Sequence, residues 1–193
     1  MKLGFIGQGM VGKTYADLFE KQGFDVVRYS KEEPYAANKD KIKNCDIVFI
    51  AVPTPTTPKG FDDSIVREVV SLVGKGKIAV LRSTLVPGTT RSIQEEYPNV
   101  FVLHVPEFLT ARVSFEDAEY PRKNVIGIPK DDENYRQKAK EVMDILPVAP
   151  HPSIVIAEEA EMVKYIQNNF LFIKNVYMGI VWQFVEDMGL NKD

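Results

Sequence analysis

The sequence is poor in the residues that build disulfide frameworks and metal centres. Its 193 residues include one cysteine, Cys45, and two histidines, His104 and His151. A single cysteine forms no internal disulfide, and two lone histidines lack the spacing of a metal site, so we expect no metal. Cys45 precedes an apolar run and is expected to be a buried structural thiol, and both histidines are expected to be structural or solvent-exposed. This cysteine usage is typical of a reducing, cytoplasmic setting.

The sequence also lacks a strong charge of one sign and a long apolar run. The formal net charge is −3, which argues against broad binding to nucleic acid or to an anionic membrane. The most apolar late stretch, residues 170–185, contains Lys174 and Asn175 and is too short to span a bilayer. The N-terminus has no signal-peptide layout, because Lys2 is followed at once by a strand-like segment. We therefore expect neither a nucleic-acid partner nor a membrane partner.

The sequence does contain a regular alternation of apolar runs and helix-like segments. The runs predict strands at residues 2–6, 25–29, 46–52, 77–83, 99–105 and 124–128. Helices are predicted at residues 10–22, 62–73, 89–96 and 131–145. Strands and helices that alternate with short connections predict an α/β fold, a Rossmann-like doubly wound parallel sheet.

The last part of the chain follows a different pattern. Between residues 157 and 188, apolar side chains recur at steps of three and four without a proline, and Gly189 stands where such a helix would end. The chain is therefore predicted to divide into a dinucleotide-binding domain at 1–150 and a segment at 151–193. That segment would be a linker strand and a long helix at the start of a second domain. The helix needs a partner surface, which is the same domain, a missing domain or another subunit.

The first predicted strand leads into a glycine turn, in which Gly7, Gly9 and Gly12 form the pattern G-x-G-x-x-G. The first glycine permits a tight turn, the second lets the backbone approach a pyrophosphate, and the third lets helix and strand pack closely. The helix N-terminus at Met10 and Val11 adds free N–H groups and a positive dipole end. This context predicts a dinucleotide site; a tight turn that binds nothing is the alternative.

The second half of this fingerprint departs from the usual pattern. An acidic residue is expected at the end of the second strand, where it holds the ribose hydroxyls. Ser30 stands there instead, and Lys31 follows it. A hydroxyl beside a cation also suits a 2′-phosphate, so NAD is the expected cofactor and NADP is the alternative.

Three further segments lie at strand ends, where open α/β sheets bind their ligands. Val52-Pro53-Thr54 lies at the end of the third predicted strand, Ser83-Thr84 at the end of the fourth, and Glu107 just after the fifth. Thr54 offers a hydroxyl to a cofactor, and a carboxylate in a partly closed cleft can have a raised pKa and relay a proton. The alternatives are a rigid turn without ligand contact at residues 52–54, a helix cap at Ser83-Thr84 and a solvated loop acid at Glu107.

On the long helix, Lys164 and Asn168 are four residues apart and hence on one face. An ammonium group beside an amide can stabilise a developing alkoxide or hold a water molecule. The alternative is a surface lysine that pairs with a nearby acid such as Glu161.

Four segments come in order along the chain: AVPTPT (51–56), RSTLVPGTT (82–90), VPEFL (105–109) and EMVKYIQNNFL (161–171). Together with the glycine turn, these segments resemble the UDP-glucose/GDP-mannose dehydrogenase family. The resemblance extends over nearly the whole chain. The resemblance implies an NAD-dependent oxidoreductase that oxidises a nucleotide sugar at C6 from alcohol to acid, by default UDP-glucose to UDP-glucuronate, and reduces two NAD. It also implies that the helix at 157–188 is a central helix that builds a homodimer.

The resemblance further assigns roles to individual residues. It implies proton and oxyanion chemistry for Thr84, Glu107, Lys164 and Asn168. Substrate contacts are implied for Glu107, Phe108, Leu109, Lys164 and Asn168. Cofactor contacts are implied for Gly7, Gly9, Met10, Val11, Gly12, Ser30, Lys31, Val52, Pro53, Thr54, Ser83 and Thr84.

Departures from the family pattern bear on activity. The family's Asn-Pro-Glu-Phe-Leu begins with Val105 here, and Ala111-Arg112 replaces the Glu-Gly that usually follows. The family's nucleophilic cysteine follows the central helix and would attack the intermediate aldehyde; it has no counterpart here, because Cys45 is expected at the opposite end of the third strand. We therefore expect the chain to be one piece of a longer enzyme; a trimmed relative is the alternative. Two other functions stay open: a one-step dehydrogenase of the 3-hydroxyacid or phosphogluconate type, and a non-enzymatic dinucleotide-binding module.

Overall fold

A computed structural model describes residues 1–191; residues 192 and 193 of the predicted segment 151–193 lie outside the described residues. The main sheet has seven strands: β1 (Lys2–Ile6), β2 (Asp25–Tyr29), β3 (Ile47–Ile50), β6 (Ile78–Leu81), β7 (Phe101–His104), β8 (Asn124–Ile128) and β9 (Pro152–Ile156). A small separate hairpin pairs β4 (Thr56–Thr57) with β5 (Gly60–Phe61).

The α-helices of the described residues are α1 (Met10–Lys21), α2 (Ser64–Val70), α3 (Thr89–Glu96), α4 (Ser114–Glu119), α5 (Glu133–Met143) and α6 (Ala157–Asp187). Two 3-10 helices, Ala36–Asn44 and Ala111–Val113, lie in the connections. Gly189, with φ +68°, stands just beyond α6, as the sequence predicts.

The strand order in the main sheet is β2-β1-β3-β6-β7-β8-β9. Chain order reverses beside β1, as in a doubly wound sheet, so the predicted Rossmann-like α/β fold is confirmed. The sheet is not fully parallel, however: β8 pairs antiparallel with β7, where His104 faces Gly127. The connection between them, which includes α4, leaves and re-enters the sheet at the same end, as an antiparallel pair allows. Strand β9 runs parallel to β8 and completes the sheet.

Apolar side chains cover both faces of the sheet, because successive strand residues point to opposite sides. One face packs against α1, α4 and α5 and includes Phe5 and Phe49, whose rings stack at 5.0 Å between centroids. The opposite face packs against α2 and α3 and includes Val48 and Ile50. Because both faces of the sheet are covered, a ligand is expected to bind at the ends of the strands.

The long helix α6 docks through its first turns and is then uncovered. Ala157, Ala160 and Glu161 are buried. A side chain on Gly127 would lie 2.8 Å from the Ala157 backbone, so helix and strand β8 are in close contact. From Ile166 onward the large apolar side chains of α6 are exposed, for example Phe170 at 65%. Within residues 1–191, no helix combines the length and apolar character needed to cross a membrane.

Candidate functional site

A cleft of about 950 Å³ opens at the carboxyl ends of the parallel strands. Its walls are formed by the segments that follow β1, β2, β3, β6 and β7 and by residues of helices α1, α2 and α6. The predicted site residues that line it are Gly7, Gly9, Met10, Val11, Ser30, Lys31, Val52, Pro53, Ser83, Thr84, Glu107, Leu109 and Lys164. The structure thus brings together residues that are up to 157 positions apart in the sequence, Gly7 and Lys164. Most of them lie at the carboxyl ends of parallel strands, which converge at one side of the sheet.

The glycine turn closes tightly between β1 and α1. Gly7 has φ +90° and its N–H donates to the Tyr29 carbonyl at 2.9 Å, and a Cβ on Gly12 would lie 1.9 Å from the Gly7 oxygen. Around Gly9, in contrast, a Cβ would meet nothing within 4 Å, so open space faces the start of α1. Gly9 supplies no side-chain cap and the first turn of α1 has no acidic residue. The free backbone N–H groups at the start of α1 are therefore suited to bind a phosphate anion.

The end of β2 forms a more acidic wall than the sequence pattern predicts. The Ser30 hydroxyl donates to the Glu32 carbonyl at 2.7 Å, and the Lys31 ammonium lies 3.1 Å from a Glu68 carboxylate oxygen. Glu32 and Glu33 also line the cleft here. Both predicted cofactor residues are thus engaged within the protein, and two carboxylates stand beside them.

The loops after β3 and β6 brace one another through hydroxyl groups. The Ser83 hydroxyl donates to the Val52 carbonyl at 2.7 Å and accepts the Val52 N–H at 3.1 Å. The Thr54 hydroxyl donates to the Thr84 carbonyl at 2.8 Å, and Thr54 does not line the cleft. Thr84 itself is half-buried and lines the cleft. Ser83 and Thr54 therefore hold the two loops in register, and Thr84 faces the space between them.

Glu107 is buried in an ion pair, contrary to the alternative of a solvated acid. Its Oε2 accepts from Arg82 Nε at 3.1 Å and from Arg82 Nη2, and its Oε1 accepts the N–H groups of Phe108 and Leu109 at 2.7 and 2.8 Å. The Arg82 guanidinium lies 3.8 Å from the centroid of the Tyr15 ring. Burial, supported by the Glu107 charge, raises the pKa of Tyr15 and keeps it protonated.

Lys164 reaches the cleft from α6. Burial lowers the pKa of Lys164, and the nearby Lys123 charge acts in the same direction while Glu107 opposes it. Its ammonium lies 5.6 Å from the centroid of the Phe108 ring, and that of Lys123 lies 4.0 Å from the same centroid. Phe108 therefore contacts the lysines and does not line the cleft. Asn168, one turn further along α6, is exposed and also lies outside the lining.

Glu161 fixes the start of α6 relative to α3. Its carboxylate is fully buried and accepts the Gly88 N–H at 2.7 Å, the Thr90 N–H at 2.8 Å and the Thr90 hydroxyl at 2.6 Å. Glu161 therefore satisfies the N-terminus of α3 and is not the surface partner of Lys164 that the sequence allowed. Because Lys164 is one turn away, this contact sets where its side chain enters the cleft.

Three important residues of the site were missed by sequence reasoning. Arg82 and Tyr15 were not singled out, and Glu161 was considered only as a partner for Lys164. A signal for Arg82 did exist, because a cation directly after a buried strand lies beside the end of the next strand, where Glu107 follows.

The residues expected to be structural are found in the interior or at the surface as predicted. Cys45 is buried, its thiol donates to the Lys41 carbonyl at 3.7 Å, and burial raises its pKa to about 11. His104 is buried beside the Leu81 carbonyl at 3.0 Å, and His151 is exposed. Residues 1–191 contain no group of three or more acidic, histidine or cysteine side chains placed to hold a metal.

Comparisons with known proteins identify the family to which this chain belongs. The family model described as UDP-glucose/GDP-mannose dehydrogenase family, NAD binding domain, matches residues 28–146. The chain belongs to the UDP-glucose/GDP-mannose dehydrogenase family. The resemblance inferred from the sequence motifs is thereby confirmed, and with it the assignment of this region as the family's NAD-binding domain.

Individual members of the UDP-glucose/GDP-mannose dehydrogenase family match nearly the whole chain. The UDP-glucose 6-dehydrogenase of Rhizobium meliloti is 28% identical over 236 aligned positions, which cover 99% of this chain and 54% of that protein. A solved UDP-glucose dehydrogenase from Pyrobaculum islandicum is 26% identical, with a TM-score of 0.82 over 98% of this chain and 54% of that one. A UDP-D-ManNAc dehydrogenase from Pyrococcus horikoshii shares the fold, with a TM-score of 0.85 at 19% identity over 99% of this chain and 55% of that one. The chain spans about half the length of the curated relatives that it matches.

Proposed function

We propose that this chain is the cofactor-binding part of an NAD-dependent nucleotide-sugar 6-dehydrogenase, which oxidises the C6 alcohol of the sugar to an acid. The observation that supports this most directly is one cleft lined by Gly9, Thr84, Glu107 and Lys164. The phosphate-binding turn and the candidate chemistry thus share one space. UDP-glucose is the first substrate to test, because several relatives are named for it; GDP-mannose and UDP-aminosugars come next.

The open space at Gly9 and the uncapped start of α1 fit a dinucleotide pyrophosphate. When bound, NAD supplies the hydride acceptor. We propose NAD in preference to NADP for electrostatic reasons. Glu32 and Glu33 would repel a 2′-phosphate, and Lys31 is already paired with Glu68. The Ser30 hydroxyl donates within its own loop and is left to accept from a ribose hydroxyl.

Within the proposed site, Lys164 and Thr84 would act on the oxygen at C6. A half-buried ammonium group whose pKa is lowered is suited to stabilise an alkoxide and to exchange a proton. Among the described residues Lys164 forms no ion pair, so its donors are available to a ligand. Asn168 would join it only if a substrate or another surface extends the site along α6.

The second oxidation step needs a nucleophile that the described cleft does not contain. Cys45 precedes β3, while the cleft lies beyond the carboxyl end of that strand, and its raised pKa makes it a poor thiolate. We propose that the nucleophile belongs to the part of the relatives that this chain does not span. We further propose a cytoplasmic homodimer that covers the exposed apolar side chains of α6.

The test uses the complete gene product, NAD and a panel of UDP-glucose, GDP-mannose and UDP-N-acetylated sugars. The expected result is formation of reduced nicotinamide with one of these sugars, with two NAD reduced for each sugar, and weaker use of NADP. A 3-hydroxyacid and 6-phosphogluconate serve as controls for the one-step alternative. No reduction with any nucleotide sugar would contradict the proposed function, and tight NADH binding without turnover would indicate a binding module.

A further inference from the structure

The antiparallel direction of β8 brings the residue that precedes it to the cleft side of the sheet. The parallel strands β1, β2, β3, β6 and β7 all start at the opposite side. Strand β8 runs against β7, with Gly127 opposite His104, so its start lies beyond the end of β7. Lys123 directly precedes β8, and its ammonium lies 4.0 Å from the centroid of the Phe108 ring in the loop that follows β7.

Lys123 is held in place by two partners. Its ammonium donates to the Gln167 Oε1 at 3.0 Å and lies over the Phe108 ring. The side chain is half-buried, and burial lowers the pKa of Lys123. Further along β8, a Cβ on Gly127 would lie 2.9 Å from the Ala160 Cβ, so strand and helix α6 are in close contact there too. The position of Lys123 relative to α6 is therefore fixed.

The partners of Lys123 are also close enough to serve Lys164. Gln167 is three residues further along α6 and hence on the same face, and the Lys164 ammonium lies 5.6 Å from the centroid of the same Phe108 ring. Lys123 holds the nearer position on the ring and the Gln167 oxygen. Within the part of the chain that the structure describes, neither ammonium forms an ion pair.

We propose that Lys123 is a positioning residue for Lys164: it occupies Phe108 and Gln167 and presents a like charge, which leaves the Lys164 ammonium to the cleft. This inference rests on the proposed function, in which Lys164 acts on the C6 oxygen, and deepens it by adding a second cation behind the first. The charged groups that act on Lys164 are Lys123 before β8 and Glu107 after β7. Glu107 is shared with Arg82, so its attraction for Lys164 is divided.

This arrangement favours a ligand oxygen that carries negative charge. The Lys164 ammonium lines the cleft and has no acidic partner among the described residues, so its donors are available to such an oxygen. The Lys123 ammonium raises the positive potential at the same point without lining the cleft itself.

The first test measures the Lys164 ammonium directly, in the complete gene product. Reductive ¹³C-methylation labels the lysines, the Lys164 signal is assigned by its loss in Lys164→Arg, and its titration midpoint is followed by NMR. Lys123→Met removes the like charge and frees Phe108 and Gln167 for Lys164, so the midpoint should rise by about 0.5–1 pH unit. Lys123→Arg keeps a cation over the ring and should keep the wild-type midpoint. An unchanged midpoint in Lys123→Met would overturn the inference, as would an equal rise in Lys123→Arg.

Turnover gives a second measurement. Lys123→Met should lose about tenfold in kcat/KM with a nucleotide sugar, chiefly in kcat, and should bind NADH within about twofold of the wild type. Lys123→Arg should stay within about threefold of wild-type kcat/KM. The matched control is Lys138→Met on α5, since the Lys138 ammonium also lies over a ring, Phe101 at 5.6 Å, but outside the cleft lining. A loss in Lys123→Met no larger than that in Lys138→Met would overturn the inference.

A second variant makes the test independent of Lys123→Met. Gln167→Glu keeps both lysines and adds a carboxylate that favours their charged forms, so the Lys164 midpoint should again rise above that of the wild type. If the wild type oxidises no nucleotide sugar, the proposed function fails. A rise of the Lys164 midpoint in Lys123→Met and in Gln167→Glu would then still support the positioning role, and its absence would overturn it.

Discussion

Replacement of Glu161 should uncouple α6 from the cleft. Its carboxylate accepts two backbone N–H groups and one hydroxyl at the start of α3, and Lys164 lies one turn further along the same helix. In Glu161→Ala all three donors lose their acceptor. In Glu161→Gln one oxygen remains for Thr90, but an amide N–H₂ group faces the Gly88 N–H.

The expected cost follows from the number of donors left without a partner. Each buried backbone N–H without an acceptor costs about 1–3 kcal/mol, and the Thr90 hydroxyl can rotate to another partner. Removal of the carboxylate offsets part of this cost, because the folded variant no longer has to bury a carboxylate away from water. We therefore expect Glu161→Ala to lower the free energy of unfolding by about 2–4 kcal/mol and Glu161→Gln by about 1–2 kcal/mol.

The contribution of Glu161 should also depend on pH. Burial raises the pKa of Glu161 above its ordinary value, so the folded protein binds this proton more tightly than the unfolded chain. The stability that the wild type holds over Glu161→Gln is therefore largest below the ordinary glutamate pKa. It declines as pH rises through the raised pKa of the folded state.

Urea unfolding followed by circular dichroism measures these differences. The matched control is Glu158→Gln on the same helix, which removes a partly exposed pair with Arg91 at 2.6 Å and should cost less than about 1 kcal/mol. An NADH titration and a turnover assay on the same proteins should show a larger loss in turnover than in binding, because Lys164 moves and the glycine turn does not. A cost for Glu161→Ala below that of the Glu158 control would refute the reasoning.

Three further predictions test other parts of the molecule. Gly9→Ala should fold with wild-type stability, because the added Cβ meets no protein atom. It should weaken NADH binding at least about tenfold, because this Cβ enters the proposed pyrophosphate space. Gly12→Ala, whose Cβ would lie 1.9 Å from a carbonyl oxygen, should lower the free energy of unfolding by about 3 kcal/mol or more. Equal NADH affinity in Gly9→Ala and wild type would contradict the site. Burial lowers the pKa of His104 to about 3, so stability should fall as pH drops from the ordinary histidine range toward 3, by up to about 1.4 kcal/mol per pH unit, and urea unfolding of His104→Asn should lack this component. Asp substituted at Phe170 and Ile173 should convert the proposed dimer to monomer in light scattering without loss of the melting transition of the sheet domain; an unchanged mass would place the dimer contact elsewhere.

Most of the fold could be predicted from the sequence because apolar runs of four to seven residues alternate with helical periods. The direction of β8 could not, since an apolar run has the same pattern whichever way the strand is placed. Its antiparallel pairing depends on the connection after β7, where the chain returns to the sheet without a crossover. The small β4–β5 hairpin was also missed, because two-residue strands have no measurable period.

The lining of the cleft could be predicted where topology alone brings residues together. The carboxyl ends of parallel strands converge at one edge, so Gly9, Thr84 and Glu107 had to be neighbours. The buried ion pair of Glu107 could not be predicted in this way. It depends on a buried Arg82 that comes from a different strand and on a Tyr15 ring that, along the sequence, only marks the apolar face of a helix.

Lys164 lines the cleft and Asn168 does not, so a spacing of four residues on a helix predicts a shared face but not a shared site. Residues four apart share a face, but they are also about 6 Å apart along the axis, which is enough to leave the cleft wall. Asn168 lies where α6 leaves the domain, among exposed apolar side chains of the same helix such as Ile166 and Phe170. Most helical stability in proteins comes from the packing of an apolar face, so the later turns of α6 require a packing surface. The surface that covers them would also border Asn168, so completion of the candidate site and burial of the α6 apolar side chains should occur together.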